Sequence, residues 1–457
     1  MLLGTGARPA TRCVVAGNVV HHIIGLSPAS KAEKGKEAAG IGVNHADGVS
    51  IENNTVYDVV GQEAKGIKCG AAANMLIRRN LCCLCDKEGI RLLTQETDNE
   101  NVIEQNIALH NHIGITVNSS WTSRKIIVRN NFCGWNWGRG MNPKHTRNVV
   151  LVHNTLYDND DWGLDIHGRS GTKWSNYFPV VKNNLLSLNQ SAWWLYDPEI
   201  FNEQVDYNFY QNRPGNMLAA FNSGSADRCA NLAEIREKTR GRPTIAGPYE
   251  LHGREGDPRF VDPSAGDFRL QPQSPARHAA DDGLECGALA GELFEVGAHR
   301  LFGLAHVPDI GQLKLSLVAA SSETAAGRAA NAVDGATPTY WEIDTAADSR
   351  REIVLALPGN RLHQLTFLVL GKPDAADQYY YRRFQLYVSD AGRSWKPVPE
   401  PPEHPFEGYR GLNNGEVWAL PPQTKARKLK LAFATGYGGT IRIPEIRVYG
   451  SLAEADR

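Results

Sequence analysis

Between residue 13 and about residue 212 the chain repeats one short pattern of apolar and polar positions. An asparagine recurs inside an apolar frame in VVAGNVV (Asn18), SIENNTV (Asn54), LIRRNLC (Asn80), VIEQNIA (Asn106), IVRNNFC (Asn131), LVHNTL (Asn154), VVKNNLL (Asn184) and DYNFY (Asn208). The gaps are 36, 26, 26, 25, 23, 30 and 24 residues. A second frame, Gly-apolar-x-apolar, follows most of these asparagines at Gly40, Gly66, Gly89, Gly114, Gly140 and Gly163, with AWWL at Ala192 in the same place. The segments are short, β-branched and alternating, which predicts strands. A unit of this length cannot bury its own apolar face, so the units must stack. Stacked in parallel they predict an all-β solenoid with one coil per repeat. The asparagine amide, both donor and acceptor, can bond the turn backbone and the asparagine one coil away. Such a ladder satisfies polar groups that would otherwise be buried and unpaired.

From about residue 312 the texture changes. The alternating segments EIVLAL, QLTFLVL, RFQLYVS, KLKLAF and IRIPEIRVYG are separated by Asp-, Gly- and Pro-containing turns, which predicts a β-sandwich. Three regions follow: 13–290 a solenoid, 291–311 a linker, and 312–451 the sandwich.

The asparagine frames resemble the right-handed parallel β-helix of the pectate-lyase-like superfamily, and GDPRFVDPSAGDFRLQPQSPARHA resembles the tail that closes such domains. LVAASSETAAGRAANAVDGATPTYW and PEIRVYG resemble the discoidin-like domain of coagulation-factor type C, galactose-binding-like in fold; VSDAGRSW resembles its central strand and turn with one extra residue. The second resemblance implies carbohydrate binding through end loops and a structural calcium, with Asp334, Thr339 and Glu445 as candidate ligands. Carboxylate and hydroxyl oxygens suit calcium; alternatively Asp334 only forms the turn before Gly335. Trp341 and Trp395 read as core. Tyr379, Tyr380 and Tyr381 fall in a loop and either stack on a sugar or divide between interior and surface.

Composition narrows the function. Lys and Arg number 49 against 50 Asp and Glu, a net charge of −1, which argues against a nucleic-acid binder. No apolar run is long enough for a membrane-spanning helix. Eight cysteines are too few for a disulfide scaffold, and Cys82, Cys83 and Cys85 lack a second pair at zinc spacing. Cys69, Cys82 and Cys133 occupy apolar places in the frames and read as buried small hydrophobes. The first residues, MLLGTGARPATR, lack the apolar core of a signal peptide and run straight into pattern. The chain is therefore expected to begin inside a longer exported protein, extracellular or periplasmic, and to act as a monomer on a polysaccharide or oligosaccharide.

The coil geometry turns distant residues into neighbours. In Gly-apolar-x-apolar the apolar side chains point inward, so x points to solvent. Reading x from coil to coil gives Lys68, Arg91, Thr116, Asn142, Asp165 and Trp194; two residues further, the outward row is Gly70, Leu93, Asn118, Lys144, His167 and Tyr196. With coils about 4.8 Å apart, Lys144, Asp165 and His167 share one patch, with Asn118 and Asn142 beside them. Seven of the ten tryptophans fall between 121 and 194, and those in connecting loops, including Trp135, Trp137 and Trp162, are expected outside. With Trp194 and Tyr196 they suit pyranose stacking; about half are expected only to cover the flank. Residues 121–175 hold eight Lys or Arg against four Asp, a local excess of +4 that suits an anionic polymer, although an ordinary solvated face is the commoner cause of such an excess.

The segment WGLDIHGRS, Trp162 to Ser170, is similar to the Asp-x-His motif and following Arg-Ser of mannuronan C5-epimerases. The resemblance implies that Asp165, His167 and Arg169 handle the acidic C5 proton beside a carboxylate. That family's tyrosine, three before the aspartate, is Trp162 here, which argues against full epimerisation. Proton abstraction next to a carboxylate needs a base poised near working pH and positive charge to stabilise the developing anion. His167 suits the first; Lys144, Arg139 and Arg169, or a metal, suit the second. Expulsion of O4 from the intermediate makes the enzyme a polysaccharide lyase. Lys68 and Arg91, on successive coils, form an alternative basic pair. The competing readings are a glycoside hydrolase pairing Asp165 with Asp160, Asp161 or Asp197, and a non-catalytic glycan-binding or adhesion protein.

Overall fold

The structure is a computed structural model that describes residues 2–3, 10–24, 38–60, 63–94, 100–118, 125–146, 148–166, 179–195, 204–221, 228–240, 248–263, 267–288, 312–335, 339–343, 350–371, 381–390, 394–400, 405–407, 416–434, 436 and 440–453. The chain divides into two compact units, one holding the repeats and one the C-terminal sandwich.

The first unit is a parallel β-helix. Each coil contributes one short strand to each of three sheets; Leu76–Arg78, Leu81–Cys85 and Glu88–Thr94 make one coil, and Asn101–Glu104, Ile107–Leu109 and Ile113–Asn118 make the next. Among the described residues the sheets hold eleven, nine and eight strands, parallel from coil to coil except Arg228–Cys229, which runs antiparallel to Ala219–Phe221. The strands Leu2–Leu3 and Ala10–Thr11, which carry no repeat frame, also join the largest sheet by pairing with Ala39–Asp47. The interior is a stack of aliphatics, Ile41, Ile67, Ile90, Ile115 and Met141 along one column. Cys69, Cys82 and Cys133 are buried with it, and burial pushes their thiols up. They are the small hydrophobes the frames predict. The frame glycine is required by close approach of the coils. A Cβ on Gly114 would lie 2.5 Å from the Gly140 carbonyl oxygen and 2.9 Å from Cys133 Sγ.

The asparagines form the expected ladder. Asn80 Nδ2 donates to Asn106 Oδ1 at 2.9 Å, and Asn106 Nδ2 to Asn131 Oδ1 at 3.0 Å. The chain of amides runs unbroken from Asn18 to Asn208. Each rung also ties down backbone carbonyls, as Asn106 Nδ2 does with Ile77 and Glu104. The residue before each rung turns the corner with a left-handed backbone: Asn53, Arg79, Gln105, Asn130, His153, Asn183 and Tyr207 all have φ between 52 and 60°. A second ladder, Asn111–Asn136–Asn159–Asn189, lines the next corner. The first ladder ends on Glu250, which is fully buried and accepts from Asn208 Nδ2 at 2.7 Å and from the Tyr210 hydroxyl at 2.6 Å. Burial pushes its carboxyl up to about 7.

The closing tail packs on the nine-stranded sheet. A hairpin of Phe260–Asp262 and Asp267–Leu270 brings Phe268 within 4.4 Å of Phe132 and 4.8 Å of Tyr157, ring centre to ring centre. His153, a flanking residue by its sequence position, is nearly buried and anchors the tail: its ring nitrogens face Glu285 O at 3.1 Å and Asp282 Oδ2 at 2.8 Å.

The second unit is an antiparallel β-sandwich. Among the described residues one sheet orders Gln312–Leu313, Ile446–Leu452, His363–Leu370 and Glu416–Ala419; the other orders Ser316–Ala320, Glu352–Ala356, Lys428–Phe433, Phe384–Ser389 and Lys396–Pro397. Trp341, Tyr381, Phe384, Phe406, Trp418 and Phe433 fill the space between them. Trp341 is core, as the sequence suggests, and its indole N–H donates to Ser322 O at 2.8 Å. Trp395 is half-buried with the Lys430 ammonium 5.6 Å above its ring. Of the three consecutive tyrosines, Tyr381 is fully buried; Tyr379 and Tyr380 lie outside the described residues.

Candidate active site on the solenoid face

The predicted rows form on the largest sheet. Lys68 pairs in register with Arg91, Arg91 with Thr116, Thr116 with Asn142, and Asp165 with Trp194. Asn142 joins Asp165 directly, donating from Nδ2 to Asp165 Oδ2 at 2.9 Å and to its carbonyl at 2.8 Å. In the second row Leu93, Asn118 and Lys144 are consecutive neighbours, whereas a register shift after Leu92 displaces Gly70.

The exposure of the first row differs from the expectation. Lys68, Arg91 and Trp194 are half-buried, but Thr116, Asn142 and Asp165 are buried, Asp165 at 0%. Pointing away from the solenoid core does not mean reaching water when long side chains of adjacent coils fold over. Arg139 does this, placing Nη1 2.8 Å from Asp165 Oδ2 and Nε 3.4 Å from Asp161 Oδ2. Burial pushes the Asp165 carboxyl up to about 6, against the pull of Arg139 and Lys144. Its Oδ1 has no hydrogen-bond partner among the described residues, nor has Asn142 Oδ1. Asp165 thus holds Arg139 and accepts from Asn142 rather than lining an open face.

Lys144 is half-buried on the same strand as Arg139, Arg139–Lys144. Burial and the Arg139 charge lower its pKa, while Glu88 and Asp165 pull the other way. Close by, three groups escaped the sequence reading. Glu88 and Lys65, register partners, approach to 4.0 Å, and Glu88 stands 4.0 Å from Arg91. His112 is half-buried, and its pKa is pushed down to about 4 by burial and by Lys87, Arg139 and Lys144. Lys65, Glu88 and Arg139 occupy the position three before x, a row the frame itself defines.

The aromatic residues divide. Trp162 and Trp194 stack on adjacent coils, ring centres 5.5 Å apart and both half-buried, beside Asp161 and Asp165. Trp135 does not join this face: it packs among His110, Phe132, Tyr157 and Phe268 on the nine-stranded sheet, because the corner turns it toward the tail. Trp137 lies in that same corner, its backbone N–H bonded to Asn111 O. Trp193 points inward against Phe221 and Tyr249. His167, Arg169, Tyr196, Asp197, Trp121 and Trp174 lie outside the described residues. In the sandwich the three calcium candidates are drawn together: Thr339 Oγ1 donates to Asp334 Oδ2 at 2.8 Å, and the Gly335 N–H between them donates to Glu445 Oε2 at 3.1 Å.

Residues 17–217 match the family model described as periplasmic copper-binding protein (NosD), and residues 317–446 match the F5/8 type C domain model. No curated protein matches the chain. Among solved structures, the family 32 carbohydrate-binding module of Clostridium perfringens NanJ, in complex with galactose, is 17% identical over 30% of this chain and 93% of its own, with a TM-score of 0.25. A family 32 module from Clostridium perfringens in complex with GalNAc-β-1,3-galactose is 20% identical over 30% of this chain and 95% of its own, TM-score 0.26. The C-terminal domain of a chitobiase from Bacteroides fragilis is 17% identical over 31% and 96%, TM-score 0.26. The copper in the first model's description finds no matching donor set here: among the described residues no group of three or more His, Cys, Asp or Glu could hold a metal ion, and the clustered thiols are interior and protonated. The N-terminal region is a NosD-type parallel β-helix, and the C-terminal region is an F5/8 type C domain.

Proposed function

We propose that the protein is a carbohydrate-active enzyme of the extracellular or periplasmic space, whose β-helix cleaves an acidic, uronate-containing polysaccharide by β-elimination while the sandwich binds glycan. The observation that carries this reading is Lys144: an ammonium made easier to deprotonate by burial and by the neighbouring Arg139. A neutral amine there suits removal of the C5 proton. Arg139, fixed by Asp161 and Asp165, suits pairing with the uronate carboxylate as negative charge develops. The C5–H electron pair then forms the C4–C5 double bond as O4 departs with its bond electrons and takes up a proton. Lys68 and Arg91 extend the positive row for neighbouring acidic units, and Trp162 with Trp194 offers an apolar platform. Asp165 acts here as a positioning residue. His167 and Arg169 stay in the proposal by their positions in the segment WGLDIHGRS.

One observation favours a second reading: a single guanidinium bridges Asp161 and Asp165. Both carboxyls are raised by burial, and paired carboxylates of this kind serve glycoside hydrolysis. A screen of acidic and neutral polysaccharides, scored for unsaturated products absorbing in the near ultraviolet and for reducing ends without that band, separates the two. Under the first reading Lys144→Ala lowers turnover by a hundredfold or more and Asp161→Asn by far less; the reverse order supports hydrolysis. Absence of both products across the screen would leave only glycan binding. In the sandwich we assign calcium to Asp334, Thr339 and Glu445. Added Ca²⁺ should raise the melting temperature of the wild type, by mass action, and not that of Asp334→Ala.

A further inference from the structure

A cavity of about 500 Å³ lies where the closing hairpin meets the nine-stranded sheet of the solenoid. Its volume is within the ordinary range for small-ligand sites. Tyr157 and Phe260 supply apolar wall; Gln211, Asp257, Arg259, Gln271 and Gln273 supply the polar groups. Several of these are ordered in advance. Gln273 Nε2 donates to Gln271 Oε1 at 3.0 Å, Gln271 Nε2 donates to the Phe260 carbonyl at 3.0 Å, and Arg259 Nη1 reaches the Gln273 carbonyl at 3.3 Å. On the solenoid side, Gln211 Oε1 accepts from the Ser187 hydroxyl at 2.6 Å. These bonds leave the Gln211 amide N–H groups, the Gln273 Oε1, the rest of the Arg259 guanidinium and one Asp257 oxygen to meet a ligand.

We infer that this cavity is a second carbohydrate site, built for a short neutral oligosaccharide and separate from the Lys144 face. The lining offers donors and acceptors in balance, with one cation and one carboxylate. Sugar hydroxyls both donate and accept, and so satisfy such a mixed set. An anionic ligand would meet Asp257 and a cationic one Arg259. Ordering the amides before the ligand arrives lowers the entropic cost of binding.

The test is titration calorimetry on the full chain with lactose, cellobiose and maltose as neutral probes and digalacturonate as the anionic one. Asp257, Arg259 and Gln273 are exposed, so substitutions there spare the core. At least one neutral disaccharide should bind, with affinity lowered tenfold or more in the Arg259→Ala/Gln273→Ala variant and unchanged in Lys144→Ala. Digalacturonate binding should not respond to the double substitution. The inference is overturned if no neutral disaccharide binds, if all binding survives the double substitution and so belongs to the sandwich, or if digalacturonate is the ligand that is lost. None of these outcomes bears on elimination at Lys144.

Discussion

Lys144 and Glu250 are both ionisable groups shifted by burial, and they should announce themselves differently as pH changes. Under the proposed elimination the working form of Lys144 is the neutral amine, so kcat should rise with pH along a limb that lies below the ordinary lysine range of about 10.4 and vanishes in Lys144→Ala. For Glu250 the effect is on stability. Its folded carboxyl titrates near 7 against a reference of 4.5, so between those values the folded state holds a proton that the unfolded chain has released. Its contribution therefore weakens as pH rises through that window and levels off above it. Melting temperatures of the wild type and Glu250→Gln between about pH 5 and 8 should show the wild type losing ground to the variant as pH rises. Parallel curves would mean that the Tyr210 and Asn208 hydrogen bonds keep Glu250 near its ordinary value.

At the scale of the element, the asparagine rungs are where sequence and structure agree most closely. Asn106 bonds both neighbouring rungs and two carbonyls from a fully buried position. Asn106→Ala would strand several buried partners, at a cost of about 3 kcal/mol or more, whereas Asn18→Ala at the part-exposed first rung should cost less than about 1 kcal/mol. Urea unfolding midpoints compare the two directly. The rungs were legible because each sits in a local frame with its own apolar period. The second ladder, through Asn111, Asn136, Asn159 and Asn189, stands five residues after the first and was readable in principle. The frame that reveals it, however, is a corner with no apolar alternation. The burial of Asp165 was not legible, because it depends on the reach of Arg139 from the coil before. The rows themselves were, since in-register stacking alone determines them. The contact of Glu88 with Lys65 and Arg91 needs the strand to begin one residue before the glycine that marks it.

At the scale of the molecule the net charge is only −1, so attraction for an acidic polymer has to be local, as in the row of Lys68, Arg91, Arg139 and Lys144. A field of that extent is screened over about 8–10 Å at physiological salt. Retention on an immobilised acidic polysaccharide should therefore fall steeply between about 0.05 and 0.3 M NaCl, while binding of neutral sugars should hardly change. Salt-insensitive retention would shift the main attachment to the sandwich or to aromatic stacking.

Every rung of the asparagine stack shows its neighbours the same donor and the same acceptor, so the architecture is a ruler graduated in whole turns. Duplicating the 26-residue interval that separates Asn80 from Asn106 would insert a coil whose two ends already match those around it. The working face would grow by about 4.8 Å, close to the length of one sugar unit. A fractional insertion would leave an amide with nothing opposite it. Copying or deleting whole turns thus changes the length of that face without breaking the ladder.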